Sequence, residues 1–464
     1  MKYTYNKSFL AYVTLLSIGL IFIQCNDSGD LNDPSTGDVF PEKLYTIDGN
    51  GRIVDTEMIP TDFLPSDQCM DCHPDHYNEW SESMHAYAMK DPVFFGGWNG
   101  EQLSRPDTGE RFCLQCHNPV AFVTGVYLDQ YDDSESLQNS DENPVIKEGI
   151  GCDACHTMTK LSTAVVTGDD VSANAEYHFN PGEGIEYGSI ENPVENAFHE
   201  SQYAPIYQRS EICLPCHDFF IRGVEAEITY TEWNRIPAAA MSGGMTCQDC
   251  HMVKYPDGHS DHRFTGVDLD LSSPVENTAA YQAVSELLSG ALEIAPGYPD
   301  VSFPVTVGAG ESLIIPFTIT SLTGHALPSG VTFAREAWME IIVSQNGNIL
   351  FESGHILDDS AGLDENDDQL LLFYSQLLDS QGNHISGVTD AHGIINSTLA
   401  GFGVRYKSYA FDVPPGTTGT LTISARMLFR PFKPSILEGA HQNLLDNLPV
   451  FEMASYTEYV DITQ

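Results

Sequence analysis

Basic residues are scarce in this 464-residue chain: 20 lysines and arginines stand against 66 aspartates and glutamates, for a formal net charge of -46. That balance argues against a nucleic-acid or anionic-membrane binder, because both attract the opposite sign. The acidic stretches "DQYDDSESLQNSDEN" and "DDSAGLDENDDQ" lack the glycine and glutamate spacing of a calcium loop and read as solvated loops. Hydrophobic residues make up an ordinary 42%, so the chain is an acidic globular protein and not a disordered acidic tail. Unassigned cysteine is the scarcest feature. Of 11 cysteines only Cys25 stands alone.

The other ten form five pairs, each followed directly by a histidine: Cys69, Cys72 and His73; Cys113, Cys116 and His117; Cys152, Cys155 and His156; Cys213, Cys216 and His217; Cys247, Cys250 and His251. Zinc ribbons and dithiol oxidoreductases also use C-x-x-C, but neither needs the adjacent histidine. With 16 His in the chain, five such histidines by chance have a probability of about 5 × 10⁻⁸, whereas C-x-x-C-H is the signature of haem c attachment. Two thiols three positions apart can form thioethers to the two vinyl groups of one porphyrin, and the next imidazole then lies under the iron as its proximal ligand. The sequence therefore predicts five covalent haem c groups, each with its iron on one of these five histidines.

Lys2 and Lys7 precede an apolar run from Phe9 to Ile23, which reads as an export signal within a leader of residues 1–25. Cys25 ends that run and a polar stretch follows, as at the lipidated cysteine of a bacterial lipoprotein, although Gln24 stands where a small residue is usual. The expectation is an exported protein, facing the periplasm or the cell surface and anchored to the outer membrane by lipid on Cys25. Residues 26–62, rich in Asp, Gly, Pro and Thr, read as a tether. Residues 63–270 carry the five motifs with few residues per cofactor, so they are expected to lack a conventional core and to depend on porphyrin for buried apolar surface. Apolar residues from Val275 to Leu292 recur at helical spacing, giving a connecting helix in 271–299. Beyond it, "SLIIPFTIT", "AWMEIIVSQNGNILFES" and "GTLTISARMLF" alternate as strands, and Asn346-Gly347 signals a type I′ hairpin. The predicted fold class is α+β: a mainly helical, loop-rich multihaem domain followed by an antiparallel β-sandwich over 300–464.

The stretches "CMDCHPDHYNEWSESMHAYA", "SEICLPCHDF", "TYTEWNRIPAAAMSGGMTCQDCHM" and "HRFTG" resemble the bacterial multihaem c-type cytochromes related to the tetrahaem electron acceptor of hydroxylamine oxidoreductase. "TSLTGHALPSG" and "REAWMEIIV" resemble a carboxyl-terminal β-domain found in some of them. The resemblance implies electron transfer through closely packed haems, many with two histidine ligands. This chain has five motifs where the tetrahaem relatives have four, so their ligand pairing is not carried over.

Eleven histidines lie outside the motifs, enough to close every sixth position on iron. His85 and His262 match the family's elements. His178 and His199 lie between the third and fourth motifs, and His325 sits in the Gly-His-x-x-Pro-x-Gly element of the β-domain. These five are the candidate distal ligands. His76 reads as a packing or surface residue and His259 as a reserve for His262. His355, His384, His392 and His441 read as ordinary loop histidines.

Two functions remain open. One is electron transfer between redox proteins, or to an extracellular acceptor, at the cell envelope. The other is a reductase or oxidase of a small nitrogen or sulfur compound acting at one five-coordinate haem, although the C-x-x-C-K motif of the pentahaem nitrite reductases is missing. A third reading gives the β-domain the main role, with the protein docking to a surface partner and the haems serving as a relay.

Overall fold

The computed structural model describes residues 40–48, 52–104, 109–126, 131, 133–160, 175–235, 244–364, 366–439 and 441–463. The leader and Cys25 lie outside the described residues; all fifteen motif cysteines and histidines lie within them.

Short helices dominate the first half, and local chemistry sets their ends. Pro74 opens helix Pro74–Ser81, where its missing N–H costs nothing. Ser83 caps Met84–Tyr87 by accepting from the Ala86 N–H, and Asn118 caps Pro119–Thr124 in the same way through Ala121. Gly125, at φ 69°, ends that second helix in the left-handed conformation a glycine adopts freely. Longer helices run over Pro92–Ser104 and Gly109–His117.

Two expectations fail here. Part of the stretch read as a tether is folded: Tyr45–Ile47 and Ile53–Thr56 pair antiparallel, Thr56 Oγ1 donates to Val123 O at 2.9 Å, and Tyr45 Oη donates to Ala175 O. The motif-bearing region also has an apolar core of its own, built on Phe63, Phe95, Trp98, Leu114, Phe122, Ile146 and Phe179. Aromatic rings supply the buried area that so few residues would otherwise lack.

Beyond residue 270 the chain is mainly strand. Ser312–Ser321 pairs with Leu292–Pro296 on one side and Val404–Asp412 on the other. A second sheet runs Asn348–Ser353, Glu336–Gln345, Gly419–Arg430, Phe451–Thr463 and Thr306–Gly308, with Leu371–Phe373 also on Glu336–Gln345. Its last pairing, Thr306–Gly308 on Phe451–Thr463, is parallel. Alternate residues of both sheets, including Ile315, Phe317, Met339, Ile341, Ile423 and Met427, fill one apolar cluster. Asn346 and Gly347 both have positive φ, 50° and 82°, as a type I′ turn requires. Within 271–299 only Ala279–Ser289 is helical; Leu292–Pro296 is a strand, and Val284 and Leu288 pack into the cluster between the sheets. Among the described residues no helix is long and apolar enough to cross a membrane.

Candidate haem-binding site

Each motif folds as one helical turn, which brings positions i, i+3 and i+4 to the same side. The second motif ends helix Gly109–His117, and the third and fifth are the short helices Cys152–His156 and Cys247–His251. The first and fourth follow 3₁₀ turns over 66–68 and 210–212, yet they close the same bond: His73 N–H donates to Cys69 O at 2.8 Å and His217 N–H to Cys213 O at 3.0 Å. Both thiols and the imidazole of each motif therefore face one space.

Four of the five motif histidines meet a second imidazole. Ring centroids are 6.3 Å apart for His73 and His199, 6.4 Å for His217 and His85, 6.4 Å for His156 and His262, and 6.3 Å for His251 and His325. A metal–imidazole nitrogen bond is about 2.0–2.1 Å and the centroid lies about 1.1 Å behind that nitrogen, so two rings across one iron are about 6.2–6.4 Å apart. The four pairs fit that span. They are too far apart for direct stacking and close enough for a shared metal.

The supporting hydrogen bonds fit as well. His156 Nδ1 faces Tyr187 O at 2.8 Å, His251 Nδ1 faces Thr265 O at 2.9 Å, His262 Nδ1 faces Ser260 O at 2.7 Å and His325 Nδ1 faces Ala326 O at 2.9 Å. Donation from Nδ1–H to a carbonyl leaves Nε2 free for a metal. Burial holds His85 down to about 3 and His262 and His325 to about 4, and it lowers His156, His217 and His251 as well. All six are therefore neutral at physiological pH, the form that ligates.

Two positions depart from expectation. His178 faces no motif histidine: Nδ1 lies 2.5 Å from Glu42 Oε2 and Nε2 lies 3.3 Å from Glu176 Oε1, so carboxylates hold both ring nitrogens. His117, buried and held down to about 4 by that burial, has among the described residues no ring contact with another histidine; there its ring neighbour is Phe94, stacked at 4.0 Å with planes 13° apart. His441, treated as an ordinary loop residue, lies against Gly96 on the helix that carries Phe94, where a Cβ would sit 2.6 Å from its Nε2. His76 packs on the distal ligand candidate His262, with centroids 4.8 Å apart. His259 bonds Glu79 and Asp257, which raise its pKa, and faces no motif histidine.

The motif thiols give the motifs an order in space. Cys69 meets Cys152, Cys116 meets Cys216, and Cys213 meets Cys247. Cys155 lies within electrostatic reach of Cys216. Tyr177 Oη, 3.1 Å from Cys216 Sγ, and Pro215 O, 3.8 Å from Cys116 Sγ, tie the second and fourth motifs further. The row runs first, third, fourth, fifth, with the second motif branching from the fourth. Cys72 lies at one end and Cys250 at the other.

The β-rich part brings His325 to face the fifth motif's His251. Glu232 Oε2 accepts from Ala326 N–H at 3.1 Å and from Ser329 Oγ at 2.7 Å, and Gly330 N–H donates to Thr229 Oγ1 at 3.0 Å. Helix Thr229–Arg235 thus clamps the loop that presents His325. Gly401 backs the loop on its other side. A Cβ there would lie 2.8 Å from both His325 N and O.

No curated protein matches this sequence. The family of cytochrome c554 and c-prime matches residues 68–157, which hold the first three motifs. The penta-haem cytochrome c552 from Thermochromatium tepidum has the same fold, with TM-score 0.62 and 20% identity over 87% of this chain and 100% of that one. The CARDB domain of a Pyrococcus furiosus protein covers 37% of this chain and 90% of its own at 11% identity, and the human F-spondin reeler domain covers 37% and 88% at 12%. Their TM-scores of 0.16 and 0.15 carry no argument. The matched family and the shared fold support a multihaem c-type cytochrome.

Proposed function

We propose that this chain carries electrons at the bacterial cell envelope through five covalently held haem c groups. The observation that carries the reading is the set of four facing histidine pairs at 6.3–6.4 Å, each including a motif histidine. When bound, haem c supplies a one-electron ferric–ferrous couple. The two cysteines of each motif would hold it, and in the first, third, fourth and fifth motifs the facing imidazoles would serve as ligands to its iron. The contacts between thiols of different motifs support close packing from the first motif to the fifth. Export by the leader and lipid attachment at Cys25 would place the protein at the outer membrane, with other redox proteins or an extracellular acceptor as partners.

His117 supports a second reading. With no histidine across from it among the described residues, the second motif would leave one iron five-coordinate and open to a small nitrogen or sulfur compound, as a reductase or oxidase requires. The discriminating experiment is a pyridine-haemochrome assay with peptide mass mapping, followed by turnover trials with such compounds. Five haems and no turnover support the carrier. Turnover lost in His117→Ala supports the enzyme, and fewer than four haems, or zinc in their place, contradicts both.

A further inference from the structure

The loop between strands Ile185–Gly188 and Glu200–Tyr203 carries three apolar side chains into solvent: Ile190, Val194 and Phe198 are 67%, 85% and 82% exposed. Three exposed apolar side chains in one short loop are more than the singly scattered ones normal on a protein surface and make the loop a candidate contact. Phe198 is the residue before His199, and Asn196 Oδ1 accepts from both their N–H groups, at 2.9 and 3.1 Å. The loop is thereby fixed to the imidazole that faces His73. The first motif, with Cys72 and His73, lies at that same end of the row.

The two chain segments that form this end carry charge of one sign, with Arg209 just outside them paired to Glu211. No lysine or arginine occurs in residues 179–208 or 53–89, while Asp67, Asp71, Asp75, Glu183, Glu191, Glu195 and Glu200 are exposed. A second copy of this chain, itself at -46, would be repelled, as would an anionic membrane. We infer that this surface docks a basic redox protein, whose lysine-ringed, apolar electron-exchange face would cover Phe198 and Val194 and pair with the surrounding carboxylates. This rests on the proposed carrier function and names its partner class and its docking end. The apolar centre would supply contact and the acidic rim the rate of encounter, as at other steered interfaces.

The test uses the full-length haem-loaded protein and horse-heart cytochrome c, a lysine-rich redox protein, as the probe. Stopped-flow electron exchange is measured against ionic strength for the parent, Val194→Ser with Phe198→Ser, Glu191→Lys with Glu195→Lys, and a remote charge reversal, Glu352→Lys with Asp412→Lys. Reduction by dithionite serves as the partner-independent control. The expected result is an exchange rate that falls with salt, at least about tenfold loss in the loop charge reversal, a loss in the apolar pair that persists at high salt, and little change in the remote variant. Haem content and dithionite reduction stay at the parent level throughout. Equal loss in the remote and loop reversals, unchanged rates in both loop variants, or a salt-stable dimer that the apolar pair disperses would each overturn the docking assignment while leaving the carrier reading standing. Parent protein without bound haem would overturn both.

Discussion

His325 and His251 face each other with centroids 6.3 Å apart and planes 22° apart, although one lies in the β-rich half and the other in the fifth motif. Removing the imidazole proposed as the distal ligand should open one iron. In His325→Ala we expect one low-spin ferric haem per chain to become high spin, with haem content unchanged, because Glu232 still holds Ala326 and Ser329. An unchanged ferric spectrum would return His325 to an ordinary loop residue.

Gly401→Ala tests the same contact without touching the ligand. The new methyl would collide with the His325 backbone, and overpacking of this kind costs about 1–3 kcal/mol. A lowered melting temperature with partial high-spin character at one haem is expected. Full retention of both would show that the loop moves aside freely.

Among the histidines between the third and fourth motifs, His199 and His178 should separate cleanly. His199→Ala is expected to convert one haem to high spin. His178→Ala should leave the spectrum intact and cost only local stability, since its ring bonds Glu42 and Glu176. The reverse outcome, measured by ferric absorption spectra, would exchange the two assignments.

The chemistry of the site was legible because C-x-x-C-H puts three functional groups on a single turn, and one turn is local. Strand alternation and Asn346-Gly347 were legible for the same reason. The partners of His73, His156, His217 and His251 were not. His199, His262, His85 and His325 reach them through tertiary packing, and nothing in the flanks of His178 distinguishes it from His199. The gap opposite His117 was hidden too: Phe94, in "PVFFGGW", reads as core and shows its place against the imidazole only in three dimensions. The tether reading failed at residues 40–48 and 52–62 because polar composition masks short strands that gain their stability from neighbours such as Val123 and Ala175.

Burial pushes the Glu186 carboxyl up to about 8, with Asp153 nearby adding to it. In the folded protein it is therefore protonated at neutral pH and ionises as pH rises through about 8. Stability from the neutral form is fully present below the usual carboxylate range and is lost on that rise. The new negative charge beside the third motif also favours ferric over ferrous iron. Potentiometric titrations should show at least one couple falling with pH, by tens of millivolts as an order of magnitude, and the fall should vanish in Glu186→Gln. A pH-independent set of potentials would remove Glu186 from any tuning role.

The four pairs and the unpaired His117 together fix a spin inventory. Electron paramagnetic resonance of the fully ferric protein, quantified against its haem content, should give four low-spin centres and one high-spin centre per five haems. The near-parallel pairs, at 22° for His156 with His262 and for His251 with His325, should give rhombic signals, and the 59° pair of His85 with His217 a more anisotropic one. Carbon monoxide should bind one haem in the reduced protein. Five low-spin centres with no carbon monoxide binding, or two or more high-spin centres, would contradict this ligand assignment.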